Sequence, residues 1–209
     1  MGHDLPKKSL APTPAPSVES GGDLEAELLK LLDGGSDSIV AIAVGTSEGT
    51  RTPDGRFTAA WYEHTDPGNG RRNQGSFSYK HSAESPKAAD MQQLKKIRDV
   101  LLPKFLKPVQ AVNLPTGGLK QLFLVACDVY TQSEVACTGR GGFLQQLRGI
   151  PPYQVATDTI IDWRVAAYHD PETGQLDAPG FGNNLERLRD DQQRRTEAVL
   201  DAAQKLGVF

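Results

Sequence analysis

The sequence has few cysteines, no excess of either charge and no long apolar run. Its two cysteines, Cys127 and Cys137, form no Cys-x-x-Cys pair, which argues against a structural zinc site. A formal net charge of −3 over 209 residues provides no basic field for nucleic acid or an anionic membrane. No segment approaches the roughly 20 apolar residues of a membrane span. We therefore expect no nucleic-acid partner and no membrane span, and the sequence indicates no cofactor.

The two cysteines leave two possibilities open. They lie 137 − 127 = 10 positions apart. On one straight helix this separation corresponds to about 15 Å of rise, too far for a disulfide. Either both are reduced and buried, or a break in the chain between them allows a bridge.

The beginning of the chain differs in composition from the rest. Residues 1–22 are rich in Pro, Ser, Ala and Gly and predict a disordered or polyproline-like linker, followed by a single domain at 23–209. An irregular terminus with no tethering role fits this composition equally well. The segment has no apolar core, so it is not a signal peptide. The compartment stays open, and a periplasmic or extracellular location is favoured if a lost N-terminal segment carried a signal.

The apolar pattern predicts an α+β fold that is mainly α, with one loop-rich lobe. Helices are expected at 23–33, 36–47, 85–106, 117–136, 142–147, 151–168 and 184–207. The second of these is apolar on every side and is expected to be buried, with Ser36 or Asp37 as its cap. The lobe, 50–82, is rich in Gly, Thr, aromatics and turn sequences, and its segments 57–62 and 76–79 are predicted as short strands.

Glu48 is the candidate catalytic acid. It stands at the carboxyl end of the predicted buried helix, and Trp61 or Tyr62 of the lobe is the candidate for an aromatic neighbour. The partial negative charge of a helix C-terminus and aromatic surroundings both favour the protonated form of a carboxylic acid. Such an acid can donate a proton to the leaving oxygen of a glycosidic bond, usually with a second carboxylate across the sugar. Asp66, at 66 − 48 = 18 positions further on, is the candidate for that second carboxylate.

The lobe also carries amides, hydroxyls and rings of the kind that sugar recognition uses. The candidate substrate-binding residues are Tyr62, His64, Asn69, Asn73, Ser76 and Tyr79. Each has an ordinary alternative as a loop or core residue, and Asp66 lies in an Asp-Pro-Gly-Asn turn sequence. Glu63, His64 and Asp66 with His81 fit no standard ligand spacing, so no metal site is expected.

Three segments carry a resemblance to a known family. Ser47-Glu48-Gly49-Thr50 ends a predicted buried helix and precedes a polar lobe. PGFGNNLERLRDDQQRRTEAVLDAAQKLG, from Pro179, combines a Gly-aromatic turn with a closing helix, and SPKAADMQQLKKI at 85–97 adds a similar pattern. In these segments the chain resembles the lysozyme-like superfamily, and most closely the lambda-type phage endolysins. The resemblance implies a lysozyme-like helical domain that cleaves β-1,4 glycosidic bonds of peptidoglycan, with Glu48 as acid/base.

The resemblance implies two forms of the reaction. The lambda-type enzymes are lytic transglycosylases in which one glutamate suffices and a hydroxyl of the sugar attacks, whereas in hydrolytic relatives an Asp or Thr assists water. WYEHTDPGNGRRNQGSFSY, from Trp61, and the helix predicted at 117–136 have no counterpart, which leaves the role of Asp66 and the substrate open. Chitin or chitosan is an alternative polysaccharide. A non-catalytic glycan- or protein-binding module, or a structural domain positioned by its linker, is an alternative function.

Overall fold

The computed structural model describes residues 21–65, 70–79, 83–110, 112, 114–148, 150 and 155–209. Most of the predicted linker lies outside these residues, as do three side chains that the sequence singled out, Asp66, Asn69 and His81. Pro151 and Pro152, which were expected to open a helix, also lie outside them.

The described residues form ten α-helices and one antiparallel pair of short strands. Helices α1 to α5 span Gly21–Lys30, Ile39–Glu48, Ala59–Tyr62, Pro86–Lys96 and Leu102–Val109. Helices α6 to α10 span Thr116–Gln132, Glu134–Thr138, Phe143–Gln146, Thr157–Ala166 and Leu185–Lys205. Strands β1, His64–Thr65, and β2, Arg72–Asn73, pair with His64 opposite Asn73. The expectation of an α+β fold that is mainly helical is confirmed, whereas its lysozyme-like character stays a prediction.

Helix α2 lies at the centre of the helical body, as its apolar sequence predicts. Its residues from Val40 to Gly45 are all buried, and α6 and α10 pack against it. The expected caps were wrong, because Ser38 is the N-cap and its side chain accepts a hydrogen bond from the Ala41 N–H. Gly34 and Gly35 both have positive φ, and the chain makes an additional 3₁₀ turn before α2 begins.

Two predicted helices are interrupted, each for a local reason. The helix expected over 117–136 ends at Gln132, because the Ser133 side chain caps a new helix, α7. The helix expected over 85–106 widens into a π-helical turn, Ile97–Leu101, just before Pro103. Proline has no N–H to donate to the carbonyl of Asp99, and a π-helical turn accommodates that loss. No described helix is both long and apolar enough to cross a bilayer.

The loop-rich lobe differs most from prediction. The segment 57–62 contains the helical turn α3 where a strand was expected, and 76–79 is a turn closed by an isolated bridge between Gln74 and Tyr79. Tertiary contacts override the short alternating pattern, because the Trp61 side chain is drawn inward to a buried acid on α4. Gly75 allows the close approach, since a Cβ there would lie 2.6 Å from that acid and its φ is 78°.

That acid, Asp90, fastens the lobe to the helical body. Its oxygens accept hydrogen bonds from Trp61 Nε1 at 3.2 Å, from the Ser76 backbone N–H at 2.6 Å and from Ser76 Oγ at 3.0 Å. Burial raises the pKa of Asp90, and its hydrogen bonds oppose that rise. One side chain of α4 therefore holds two separate points within the lobe.

Replacing Asp90 by Ala tests this connection. We expect the free energy of unfolding to fall by about 1–3 kcal/mol, since the Ser76 N–H and Trp61 Nε1 donors would be buried without an acceptor. Urea denaturation followed by tryptophan fluorescence measures the change. Asp99→Ala is the matched control, because Asp99 is half-exposed and pairs with Lys95 on the surface. Its expected effect is about 0.5 kcal/mol or less, and equal losses in both variants would contradict the role given to Asp90.

Candidate active site

Glu48 is the last residue of α2 and lies where the helical body meets the lobe. Its side chain keeps 16% of its area exposed, so it is accessible although the helix before it is buried. The next residue, Gly49, has a φ of 75° and turns the chain into the lobe. Carboxylate oxygen Oε1 accepts a hydrogen bond from Arg195 Nη2 of α10. The partner of Glu48 is thus a cation and not the aromatic group that the sequence suggested.

Arg195 is itself held by a second carboxylate, that of Asp128 on α6. Nη2 of Arg195 lies 2.7 Å from Asp128 Oδ1, and Nε lies 3.1 Å from Oδ2. This two-point contact sets the plane of the guanidinium group. The same Nη2 atom therefore joins Asp128 to Glu48 and fixes the direction from which Glu48 is held.

Asp128 has two further partners. Arg164 of α9 donates from Nη2 to Oδ2 at 2.5 Å, and the Ser47 hydroxyl donates to Oδ1. The residues Glu48, Asp128, Arg164 and Arg195, here called the charge cluster, contain two acids and two bases, so their formal charges cancel. The cluster joins α2, α6, α9 and α10 at one point.

Burial and pairing act in opposite directions on the cluster. Burial by itself raises the pKa of Asp128, but the charges of Arg195 and Arg164 outweigh it and hold that pKa at about 2. Burial acts against the charge of Arg195 as well, but the carboxylates of Asp128 and Glu48 raise its pKa above the usual value. Burial lowers the pKa of Arg164, which has fewer contacts with Asp128. Arginine remains charged in proteins, so the cluster consists of ion pairs.

The residue before Arg195 supports the backbone at the same point. Arg194 Nη1 donates to the Ser47 carbonyl oxygen at 2.9 Å, and Nη2 pairs with Asp191 at 2.8 Å. A basic group at a helix C-terminus satisfies an unpaired carbonyl and interacts favourably with the helix dipole. Consecutive arginines of α10 thus hold the main chain and the side chain at the end of α2.

The lobe joins the Glu48 end of α2 directly. Thr58, the N-cap of α3, donates from Oγ1 to the Gly49 carbonyl at 2.9 Å and from its backbone N–H to the Thr50 carbonyl at 3.0 Å. Tyr62 ends α3 and is largely exposed, with its ring in edge contact with Trp61. The structure therefore places Tyr62 on the helical turn that Thr58 attaches beside Glu48.

The other predicted lobe residues have different environments. His64 lies in β1, with Nδ1 2.8 Å from the Ala60 carbonyl oxygen. Tyr79 donates its backbone N–H to the Gln74 carbonyl. Asn73 is buried, and its Oδ1 accepts no hydrogen bond from a described residue.

Ser76 belongs to the interior of the lobe. It is fully buried, and its N–H and hydroxyl are both engaged by Asp90. Thr50 donates to its carbonyl at 2.7 Å. In this arrangement Ser76 links the lobe to the helical body.

A cavity of about 490 Å³ lies beside the opposite end of α2. Its lining residues are Leu32, Asp33, Gly34, Gly35, Met91, Gln92, Leu94, Lys95, Arg98 and Asp99. The ten residues of α2 separate this region from Glu48 by about 15 Å. The charged groups of the cavity pair with one another, Lys95 with Asp99 and Arg98 with Asp33, so the cavity and the charge cluster are separate features.

The described part of the chain contains no group of side chains arranged as a metal site and no disulfide. No group of three or more His, Cys, Asp or Glu side chains among those residues is placed to hold a metal ion. Glu63, which lies beside His64 in the sequence group that fits no standard metal-ligand spacing, is paired with Arg72. Cys127 and Cys137 are buried and unbridged, and burial raises the pKa of both thiols, which makes them unreactive.

Sequence reasoning missed Asp128, Arg164 and Arg195. A signal was present for each, because each is a charged residue within an apolar helical face. Asp128 lies one turn after Leu124 and Val125 in α6, and Arg164 lies one turn after Ile160 and Ile161 in α9. In α10 the apolar stripe is broken between Leu188 and Val199, where the buried positions are polar, namely Gln192, Arg195 and Thr196. Leu185, the first residue of α10, is exposed.

The low pKa of Asp128 predicts a defined loss of stability in acid. A depressed pKa contributes stability that is present above the ordinary value of 3.8 and is lost as the pH falls towards about 2. Ser47→Ala removes a donor to the ionised form, so we expect it to cost about 1 kcal/mol at pH 7 and less as Asp128 becomes protonated. Urea denaturation from pH 7 to pH 2 measures this difference.

Ser38→Ala is the matched control for that series. It removes the N-cap of α2 at a similar cost of about 1 kcal/mol, and no carboxylate takes part in the lost contact. Its cost should not change with pH. A pH-independent cost for Ser47→Ala would contradict the ionised state of Asp128.

Comparison of the chain with protein-family models, with curated proteins and with solved structures gave no match. The comparisons therefore assign no family. The lysozyme-like relationship remains a prediction that rests on the sequence segments quoted above.

Proposed function

We propose that the chain cleaves β-1,4 glycosidic bonds in the glycan strands of peptidoglycan, with Glu48 as general acid/base. The observation that carries this proposal is the placement of Glu48. Its carboxylate is partly exposed at the end of a buried helix, beside the lobe, and is held by an arginine that a buried acid orients. Rigid placement of an accessible acid is what proton transfer to a bound sugar requires. The resemblance of the Ser47–Thr50 segment to lambda-type endolysins supports the same assignment.

The two carboxylate oxygens of Glu48 have different environments. Within the described residues only Arg195 hydrogen-bonds the carboxylate, and it does so through Oε1. We assign Oε2 to proton transfer. Because Glu48 is ion-paired with Arg195, it must first take up a proton from solvent on Oε2. Oε2 would then donate that proton to the glycosidic oxygen as the bond breaks, and Glu48 would afterwards act as a base.

The base step has two forms. In a lytic transglycosylase, Glu48 takes the proton from the sugar hydroxyl that attacks the anomeric carbon, and a 1,6-anhydro end results. In a hydrolase, the proton comes from water and a reducing end results. Asp66, the candidate assistant for water, lies outside the described residues.

The charge cluster is compatible with a change of charge at Glu48. When Glu48 takes up a proton, Arg195 keeps its two-point contact with Asp128. The cluster then holds two guanidinium groups and one carboxylate, a formal charge of +1, and Asp128 is the counterion that both arginines share. Arg195 is thus a positioning residue that holds Glu48 in both protonation states.

Glu48→Gln is expected to abolish release of soluble muropeptides from purified peptidoglycan. Loss of a general acid typically costs about 10²–10⁴-fold in rate, while the amide oxygen of Gln can still accept from Arg195 and keep the fold. Mass spectrometry of the digest measures the products, and circular dichroism and thermal melting check the fold. Parallel digests of chitin and chitosan identify the glycan.

Glu172→Gln is the matched control for that experiment. Glu172 is an exposed glutamate, paired with Arg140 on the surface, and its replacement should leave activity unchanged. Full activity of folded Glu48→Gln would rule out the proposed acid role. Products with 1,6-anhydro ends would identify a transglycosylase, and reducing ends a hydrolase.

A non-catalytic glycan- or protein-binding module is the second candidate function. It is favoured by one observation, namely that Glu48 is engaged by Arg195 in a cluster that ties four helices together. Such a contact has a structural purpose even without catalysis. This candidate predicts that folded wild-type protein binds cell walls and releases no sugar, and that Glu48→Gln lowers stability without changing binding.

A further inference from the structure

Tyr62 is the most exposed aromatic side chain among those described. Its exposed fraction is 62%, compared with 49% for Phe209 and 37% for Phe57. A single exposed apolar residue is ordinary on a protein surface. Tyr62 differs from such a residue because the side chain it packs against, Trp61, is itself held in place by buried contacts.

Three side chains that pack on one another, Trp61, Phe57 and Arg51, support the Tyr62 ring and are here called the brace. Trp61 is buried and donates from Nε1 to Asp90, and the Phe57 ring lies 4.0 Å from the Trp61 ring. The guanidinium carbon of Arg51 lies 4.0 Å from the centre of the Phe57 ring. Phe57 therefore contacts neighbours of two kinds and serves as part of the brace.

Tyr62 meets this brace edge to face. Its ring centre is 5.1 Å from that of Trp61, and the two ring planes are 87° apart. A perpendicular contact of this kind covers at most one face of a ring. Together with the large exposed fraction, it leaves a flat aromatic surface turned to solvent on a rigid support.

The support begins next to Glu48. Thr58 donates to the carbonyl of Gly49, the residue that follows the proposed acid. Tyr62 lies four residues beyond Thr58 on the helical turn α3, which corresponds to about 6 Å of rise. A sugar chain with one bond at Glu48 has further rings on either side of it, which makes an aromatic surface on the adjoining helical turn a candidate contact for one of them.

We propose that Tyr62 is a sugar-stacking subsite that packs against one pyranose ring of a β-1,4-linked N-acetylated amino-sugar chain. The equatorial substituents of such a ring leave a face of axial C–H bonds, which is apolar and slightly positive. The face of an aromatic ring is slightly negative and attracts such groups. The identity of the glycan rests on the proposed function, whereas the stacking contact does not require cleavage.

Titration calorimetry tests the subsite with a defined probe, the β-1,4-linked hexamer of N-acetylglucosamine. The full chain carrying Glu48→Gln is used so that the probe is not consumed. Adding Tyr62→Ala should raise Kd about tenfold, which corresponds to about 1.4 kcal/mol. Tyr62→Phe keeps the ring and should change Kd by less than about twofold, since the stacking surface is retained. Phe209→Ala, which removes an exposed ring elsewhere, should leave Kd unchanged.

A second measurement does not depend on how the Ala variant folds. Sugar C–H protons over an aromatic face shift upfield in proton NMR spectra, and these shifts should appear with Tyr62→Phe and disappear with Tyr62→Leu. Equal Kd values with and without the Tyr62→Ala substitution, or shifts that persist in Tyr62→Leu, would overturn the subsite. Absence of probe binding at millimolar concentration would overturn it as well.

The subsite and the proposed function fail in distinguishable ways. If Glu48→Gln retains cleavage while Tyr62→Ala weakens binding, the acid assignment is wrong and the subsite stands. If Glu48→Gln abolishes cleavage while Tyr62→Ala binds the probe like its parent, the subsite is wrong and the acid assignment stands.

Discussion

The contact of one buried carboxylate with two arginines is the interaction on which the rest of the structure depends. Asp128 lies fully buried in α6 and receives Arg164 from α9 and Arg195 from α10. Removing one partner from a buried ion pair typically costs about 3–5 kcal/mol, because the remaining charge is left uncompensated. The cluster therefore sets how three helices meet around α2, and Glu48 takes its position from the same arginine.

A second buried acid organises the lobe in a different way. Asp90 accepts hydrogen bonds from neutral donors on Trp61 and Ser76, whereas Asp128 faces two guanidinium groups. This difference explains why burial raises the pKa of Asp90 while the pKa of Asp128 stays low. The helical body is thus joined by ion pairs, and the lobe is attached to it by a carboxylate with uncharged partners.

Glu48 lies where these two systems meet. Its backbone ends α2, Arg195 holds its side chain, and Thr58 of the lobe binds the carbonyl of the next residue. An acid placed in this way is rigid yet accessible, and the braced ring of Tyr62 begins one helical turn from the same junction. Both proposals depend on this placement. Cleavage requires proton transfer by Glu48, and the stacking subsite requires the exposed ring of Tyr62.

Sequence alone determined the features that depend on local pattern. The burial of α2 follows from its apolar sequence, and the start of α4 at Ser85-Pro86 follows from capping. Both act between near neighbours in the chain. The position of Glu48 at the end of a buried helix was also readable in this way. The partner of Glu48, Arg195, and the acid that orients it, Asp128, were not, because they lie 195 − 48 = 147 and 128 − 48 = 80 positions away. Only the packing of α6 and α10 against α2 brings them together, and the same kind of distant contact, Trp61 with Asp90, turned a predicted strand into a helical turn.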